Sequence, residues 1–86
     1  MYGVWIYEDN VARRPKSKKE IKEYLAKGVD HIGIEATSMF GNEESGPLTK
    51  ERVEAGTILF VGPNPYDSRN FYGSFKMNRK GEVVCE

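Results

Sequence analysis

The tetrapeptide Ser17-Lys18-Lys19-Glu20 constrains this chain more than any other feature, because it has the form of a helix capping box. In such a box the serine oxygen accepts from the Glu20 amide and the glutamate reaches back to the Ser17 amide. Ile21, Tyr24 and Leu25 follow at i, i+3 and i+4 as one apolar stripe, while Lys18, Lys19, Lys22 and Glu23 face water. Gly28 suits the left-handed residue that ends a helix. A helix of roughly 16 Å is too short to persist alone, so its stripe must dock on a sheet.

The remaining chain supplies that sheet. Tyr2 to Tyr7 is a β-branched and aromatic run, with Val4 and Ile6 on one face and Gly3, Trp5 and Tyr7 on the other. Pro15 favours an extended approach to the helix. Asp30 to Ala36 alternates, with Ile32, Ile34 and Ala36 inward and His31, Gly33 and Glu35 outward. Thr37 to Gly56 has no sustained period; Thr49 to Glu54 reads as one helical turn within a long excursion of the functional or mobile kind. Thr57 to Val61 reads as a central strand, stopped by Gly62-Pro63-Asn64-Pro65 because proline cannot donate to a ladder. Asn70 to Met77 and Gly81 to Cys85 read as strands joined by Asn78-Arg79-Lys80-Gly81, a tight turn with positive φ at Gly81. The expected fold class is α+β: one short helix packed on a small, mainly antiparallel sheet of about five strands, in the order β-α-β-β-β-β.

Composition fixes the scale. At 86 residues and 9.8 kDa the chain is one domain, 1–86, and 38% apolar against 30% charged residues suits neither a disordered chain nor a membrane span. Cys85 is the lone cysteine, so no internal disulfide can form. Met1 to Glu8 lacks the basic-then-apolar order of an export signal, so a cytoplasmic protein is expected, with no membrane partner.

Lys and Arg number 13 and Asp and Glu number 13, so the whole is neutral. The distribution is uneven. Arg13, Arg14, Lys16, Lys18, Lys19 and Lys22 face one acid, Glu20, within ten positions, whereas Gly28 to Ser68 is strongly acidic. A charge dipole is expected. The basic segment is a candidate contact for single-stranded nucleic acid, with the alternative of a solvated helix face.

Catalytic and metal chemistry find little support. One histidine and one cysteine do not make a zinc site, no cofactor is indicated, and His31 is the only imidazole for general-base work, so a non-enzymatic protein is expected. No Walker or Gly-x-Gly-x-x-Gly pattern occurs. The segment Val61 to Tyr72 presents Tyr66, Arg69 and Tyr72 together: Arg69 can clamp a phosphate or carboxylate while a tyrosine stacks on a base or a partner. The structural alternative is a turn held by an Asp67 to Arg69 ion pair.

Three segments carry a resemblance: Pro15-Lys16-Ser17-Lys18-Lys19-Glu20-Ile21-Lys22-Glu23, Glu35-Ala36-Thr37-Ser38-Met39-Phe40-Gly41, and Val61-Gly62-Pro63-Asn64-Pro65-Tyr66 with Arg69 and Phe71-Tyr72. Together they are about half the chain and resemble a family of small, mostly uncharacterised bacteriophage-encoded proteins, in which an aspartate usually stands where this chain has Asn64. The resemblance implies phage origin, and by analogy stoichiometric binding that blocks a host defence or regulatory component in the host cytoplasm. Glu43, Glu44 and Asn64 are the candidate partner-binding residues, the glutamates imitating a nucleic-acid backbone to a basic host protein. A second reading is a sequestering binder of a small nucleotide at Tyr66, Arg69 and Tyr72, at the interface of a homo-oligomer.

Overall fold

A computed structural model describes residues 1–37 and 44–86. The chain is α+β, with one main helix against a curled, mixed sheet. The strands are β1 (Tyr2–Glu8), β2 (Val11–Arg13), β3 (Ile32–Ala36), β4 (Gly46–Pro47), β5 (Ile58–Asn64), β6 (Ser68–Met77) and β7 (Val83–Cys85), and the helices are α1 (Lys18–Lys27) and α2 (Lys50–Ala55). The sheet order is β4-β3-β1-β5-β6-β7, with β2 also paired to β1. Among the described residues seven strands therefore replace the five expected, and the second helix and the early β1–β2 pair change the order of elements.

The extra strands have local causes. β1 and β2 form a hairpin across Asp9 and Asn10, both at positive φ (49° and 65°), a conformation that short polar side chains tolerate. β2 occupies only the C-terminal end of that edge of β1; at the other end Tyr2 pairs with Phe60 of β5, in parallel. Strand β3 starts at Ile32 rather than Asp30, because Val29–His31 forms a 3-10 turn after Gly28. β5 does not stop at Gly62: the register with β6 shifts between Gly62 and Pro63, and the strand runs on to Asn64. Proline fits such an irregularity because no ladder amide is required of it there.

Ser17 caps α1 as its sequence predicts, its Oγ accepting from Glu20 N at 3.2 Å. The reciprocal contact differs by one residue, Glu20 Oε1 accepting from Lys16 N at 2.9 Å. Gly28, at φ 154° and ψ 145°, closes the helix outside the left-handed helical well, and its amide donates to Leu25 O and Tyr24 O.

The core lies on one face of the sheet. Val4 pairs with Ile34 and Ile6 with Ile32 across β1 and β3, and all four are buried. Phe60 and Phe75 stack at 4.8 Å between ring centroids beside Ile58. Ile21 of α1, Val53 of α2 and Leu48 close the cluster. The segment after residue 43 is thus anchored: Leu48 is 1% exposed and its amide donates to Ile32 O at 2.9 Å.

The outer face carries a smaller layer. Pro65 folds back over Gly3, and the Arg14 guanidinium stacks 3.7 Å from the Trp5 ring centroid. Arg14 also donates to Val4 O and pairs with Glu35 at 2.5 Å. The basic and acidic stretches therefore meet across this pair instead of lying wholly at opposite ends.

Candidate functional site

The β5–β6 hairpin positions Tyr66, Arg69 and Tyr72. Its turn is built by Asn64, whose Oδ1 accepts from Tyr66 N at 2.9 Å and whose carbonyl accepts from Asp67 N at 3.2 Å. This places Pro65 fully buried against the sheet and leaves Tyr66 outside at 66% exposure. Arg69 Nε donates to the Pro65 carbonyl at 2.7 Å. That bond takes the place of the Asp67 to Arg69 ion pair expected for a structural turn, and the terminal guanidinium nitrogens of Arg69 have no partner among the described residues.

Tyr72 pairs with Val61 and Ser74 with Leu59, so Leu59 and Tyr72 lie diagonally on one face of the hairpin. Both are 53% exposed. Large apolar side chains on adjacent positions of a rigid hairpin form the kind of surface that partners cover. Leu59 escaped the sequence reading because a continuous run, Thr57 to Val61, gives no alternation from which to pick its wet side.

The other candidates disperse. Asn64 has its side-chain oxygen engaged in the turn. Glu44 is exposed, and its carbonyl accepts from Arg52 at 2.5 Å; Glu43 lies outside the described residues.

Half of the basic segment is engaged within the fold. Arg13 donates to Glu20 Oε1 at 2.8 Å and to the Tyr24 hydroxyl at 3.2 Å, while Tyr24 donates to Glu8. The Tyr24 bond and the nearby guanidinium hold the Glu8 carboxyl below its ordinary range, and Arg13 does the same to Glu20. The guanidinium is in turn made harder to deprotonate, chiefly by Glu20. Arg14 is occupied by Trp5 and Glu35, and Lys18 donates to Tyr72 O at 3.0 Å. Lys16, Lys19 and Lys22 remain exposed.

His31 is half-buried at the mouth of a hollow of about 450 Å³ beside the β1–β2 turn, which Tyr7, Val11 and Asp30 also line. Its Nδ1 lies 3.0 Å from Tyr7 O, which fixes Nδ1 as the protonated nitrogen. Among the described residues no three His, Cys, Asp or Glu side chains converge as a metal site would need, and no helix is long and apolar enough to cross a membrane. No family model, curated protein or solved structure matches the chain.

Proposed function

We propose that this chain is a non-enzymatic binding protein of phage type, which engages and blocks a bacterial host component through the outer side of the β5–β6 hairpin. The observation that carries the reading is the exposure of Leu59, Tyr66 and Tyr72 on one hairpin beside Arg69. Tyrosine and arginine on a rigid frame are the residue types that dominate interface energetics, because they bring large area at little entropic cost. The frame is rigid for reasons of packing: Pro65 is buried and the turn is held by Asn64 and Arg69.

The test is capture from a bacterial lysate by the immobilised protein, read by native mass spectrometry, with the double variant Tyr66→Ala, Tyr72→Ala alongside. A discrete host protein retained by the wild type and lost by the variant is the expected result. Equal retention by both would remove the hairpin from the interface.

A second reading, sequestration of a nucleotide, draws on the terminal nitrogens of Arg69. A mass gain of a small molecule on the wild type, abolished by Arg69→Ala, would select it over the first.

A further inference from the structure

We infer that the groove between α1 and β7 binds an extended peptide segment bearing a carboxylate, which adds to β7 as a further strand. The site is separate from the β5–β6 hairpin and does not rest on its function.

The backbone of β7 is prepared for this. Ser74 and Glu86 exchange both of their hydrogen bonds, at 2.9 Å each, and Asn78 N donates to Glu82 O at 2.9 Å. In an antiparallel ladder such exchanges recur at every second residue. With Lys76 opposite Val84, it is Val84 that bonds to β6, and the N–H and C=O of Val83 and Cys85 point the other way. Among the described residues no strand pairs with that edge, β7 being terminal in the sheet. Four backbone hydrogen-bonding groups are therefore presented in one row.

That row opens into a groove of about 340 Å³ whose far wall is α1, through Lys22, Leu25 and Ala26. An incoming strand would direct one side chain between Leu25 and Val83, which are apolar, while its backbone met Val83 and Cys85. The charge on the wall selects the occupant. Lys22 is the charged residue that α1 contributes to this lining and it is exposed, while Glu82, also exposed, stands just before β7 on the opposite side. Glu86 is itself paired with Lys76 at 2.9 Å, which leaves Lys22 for a visiting carboxylate. The Cys85 side chain takes no part, since it is 9% exposed and belongs to the core. A three-residue edge is too short to bury what a stable dimer needs, so a peptide of modest affinity suits it better than a second copy.

The test uses three fluorescein-labelled heptapeptides of alternating valine and threonine, with glutamate, glutamine or lysine at the centre, titrated with the full chain and read by anisotropy. The glutamate peptide should bind tightest and the lysine peptide weakest. Val83→Pro removes an outward amide that the fold does not use, and should weaken the glutamate peptide by about tenfold or more. Lys22→Glu, on an exposed helix position, should weaken it several-fold and reverse the charge preference, which keeps the test intact if the proline variant does not fold. Three outcomes would overturn the inference: no saturable binding of any peptide, affinities unchanged in both variants, or sedimentation of the free chain as a dimer that Val83→Pro dissociates.

Discussion

Pro65 sits against Gly3 on the outer face of the sheet, so close that a methyl group built on Gly3 would come within 2.6 Å of Pro65 Cγ. Gly3 thereby sets the path of the hairpin turn that presents Tyr66. Pro65 is fully buried and cannot swing aside. Gly3→Ala should destabilise the fold by about 1–3 kcal/mol, as overpacking does, measured by urea denaturation. Gly56→Ala is the control: nothing lies within 4 Å of the added methyl, and a change within about 0.5 kcal/mol is expected. Equal effects at the two sites would mean that the turn does not press on β1.

Leu48 ties the acidic segment to the core. Its side chain is 1% exposed and its amide is bonded to Ile32 O. Leu48→Ala should cost about 2–5 kcal/mol, the range for a buried leucine that leaves a cavity. A loss of about 0.5 kcal/mol or less, the scale of a surface substitution, would show that the segment is an ornament on an independent core. The expectation of a long excursion missed this anchor, because one leucine between Pro47 and Thr49 has no periodicity to announce it.

The main helix, its Ser17 cap, the inward faces of β1 and β3 and the Gly81 turn were legible because each is a local signal. Ser17 and Ile21 report on their own turn, and Val4 and Ile6 on their own strand. The strand count was not legible, because it depends on pairing. Asp9 and Asn10 are residues that accept positive φ, yet only the partner strand shows that they do so. Pro63 was read by its missing donor alone, whereas the register shift at Gly62 makes that donor unnecessary. At the candidate site Tyr66 and Tyr72 are exposed, as a turn and the outward face of a strand make them, but the engagement of Arg69 with Pro65 O is a contact no spacing encodes.

Acid should loosen the attachment of the β1–β2 hairpin to α1. Glu20 and Glu8 titrate lower in the fold than in an unfolded chain, Glu20 because of Arg13 and Glu8 because of Tyr24 and then Arg13. Their stabilising contribution is therefore complete above the unfolded glutamate value of about 4.3 and is lost as pH falls through the lower folded values. Thermal melts between about pH 6 and pH 3 should show a falling midpoint, and Glu20→Gln should flatten that slope while lowering the midpoint at neutral pH. A slope unaltered in Glu20→Gln would place the acid sensitivity elsewhere.

Arg14 separates the structural from the nucleic-acid reading of the basic segment. Its guanidinium is sandwiched in function as well as in space: it covers the Trp5 ring at 3.7 Å, bonds to Glu35 and reaches Val4 O at 3.4 Å. A side chain so occupied would have to break those contacts before it met a phosphate. Arg14→Ala should therefore lower stability by about 1–2 kcal/mol, since a stacked and paired guanidinium is lost from a half-covered site, and shift Trp5 fluorescence as the ring is uncovered. Any residual binding to single-stranded nucleic acid should keep its salt dependence in this variant, because the slope counts the cations that touch phosphates. It should fall instead in Lys16→Ala, Lys19→Ala, whose side chains are exposed. A reduced slope in Arg14→Ala at unchanged stability would reverse the assignment, making the arginine a phosphate contact and its stacking on Trp5 a resting position.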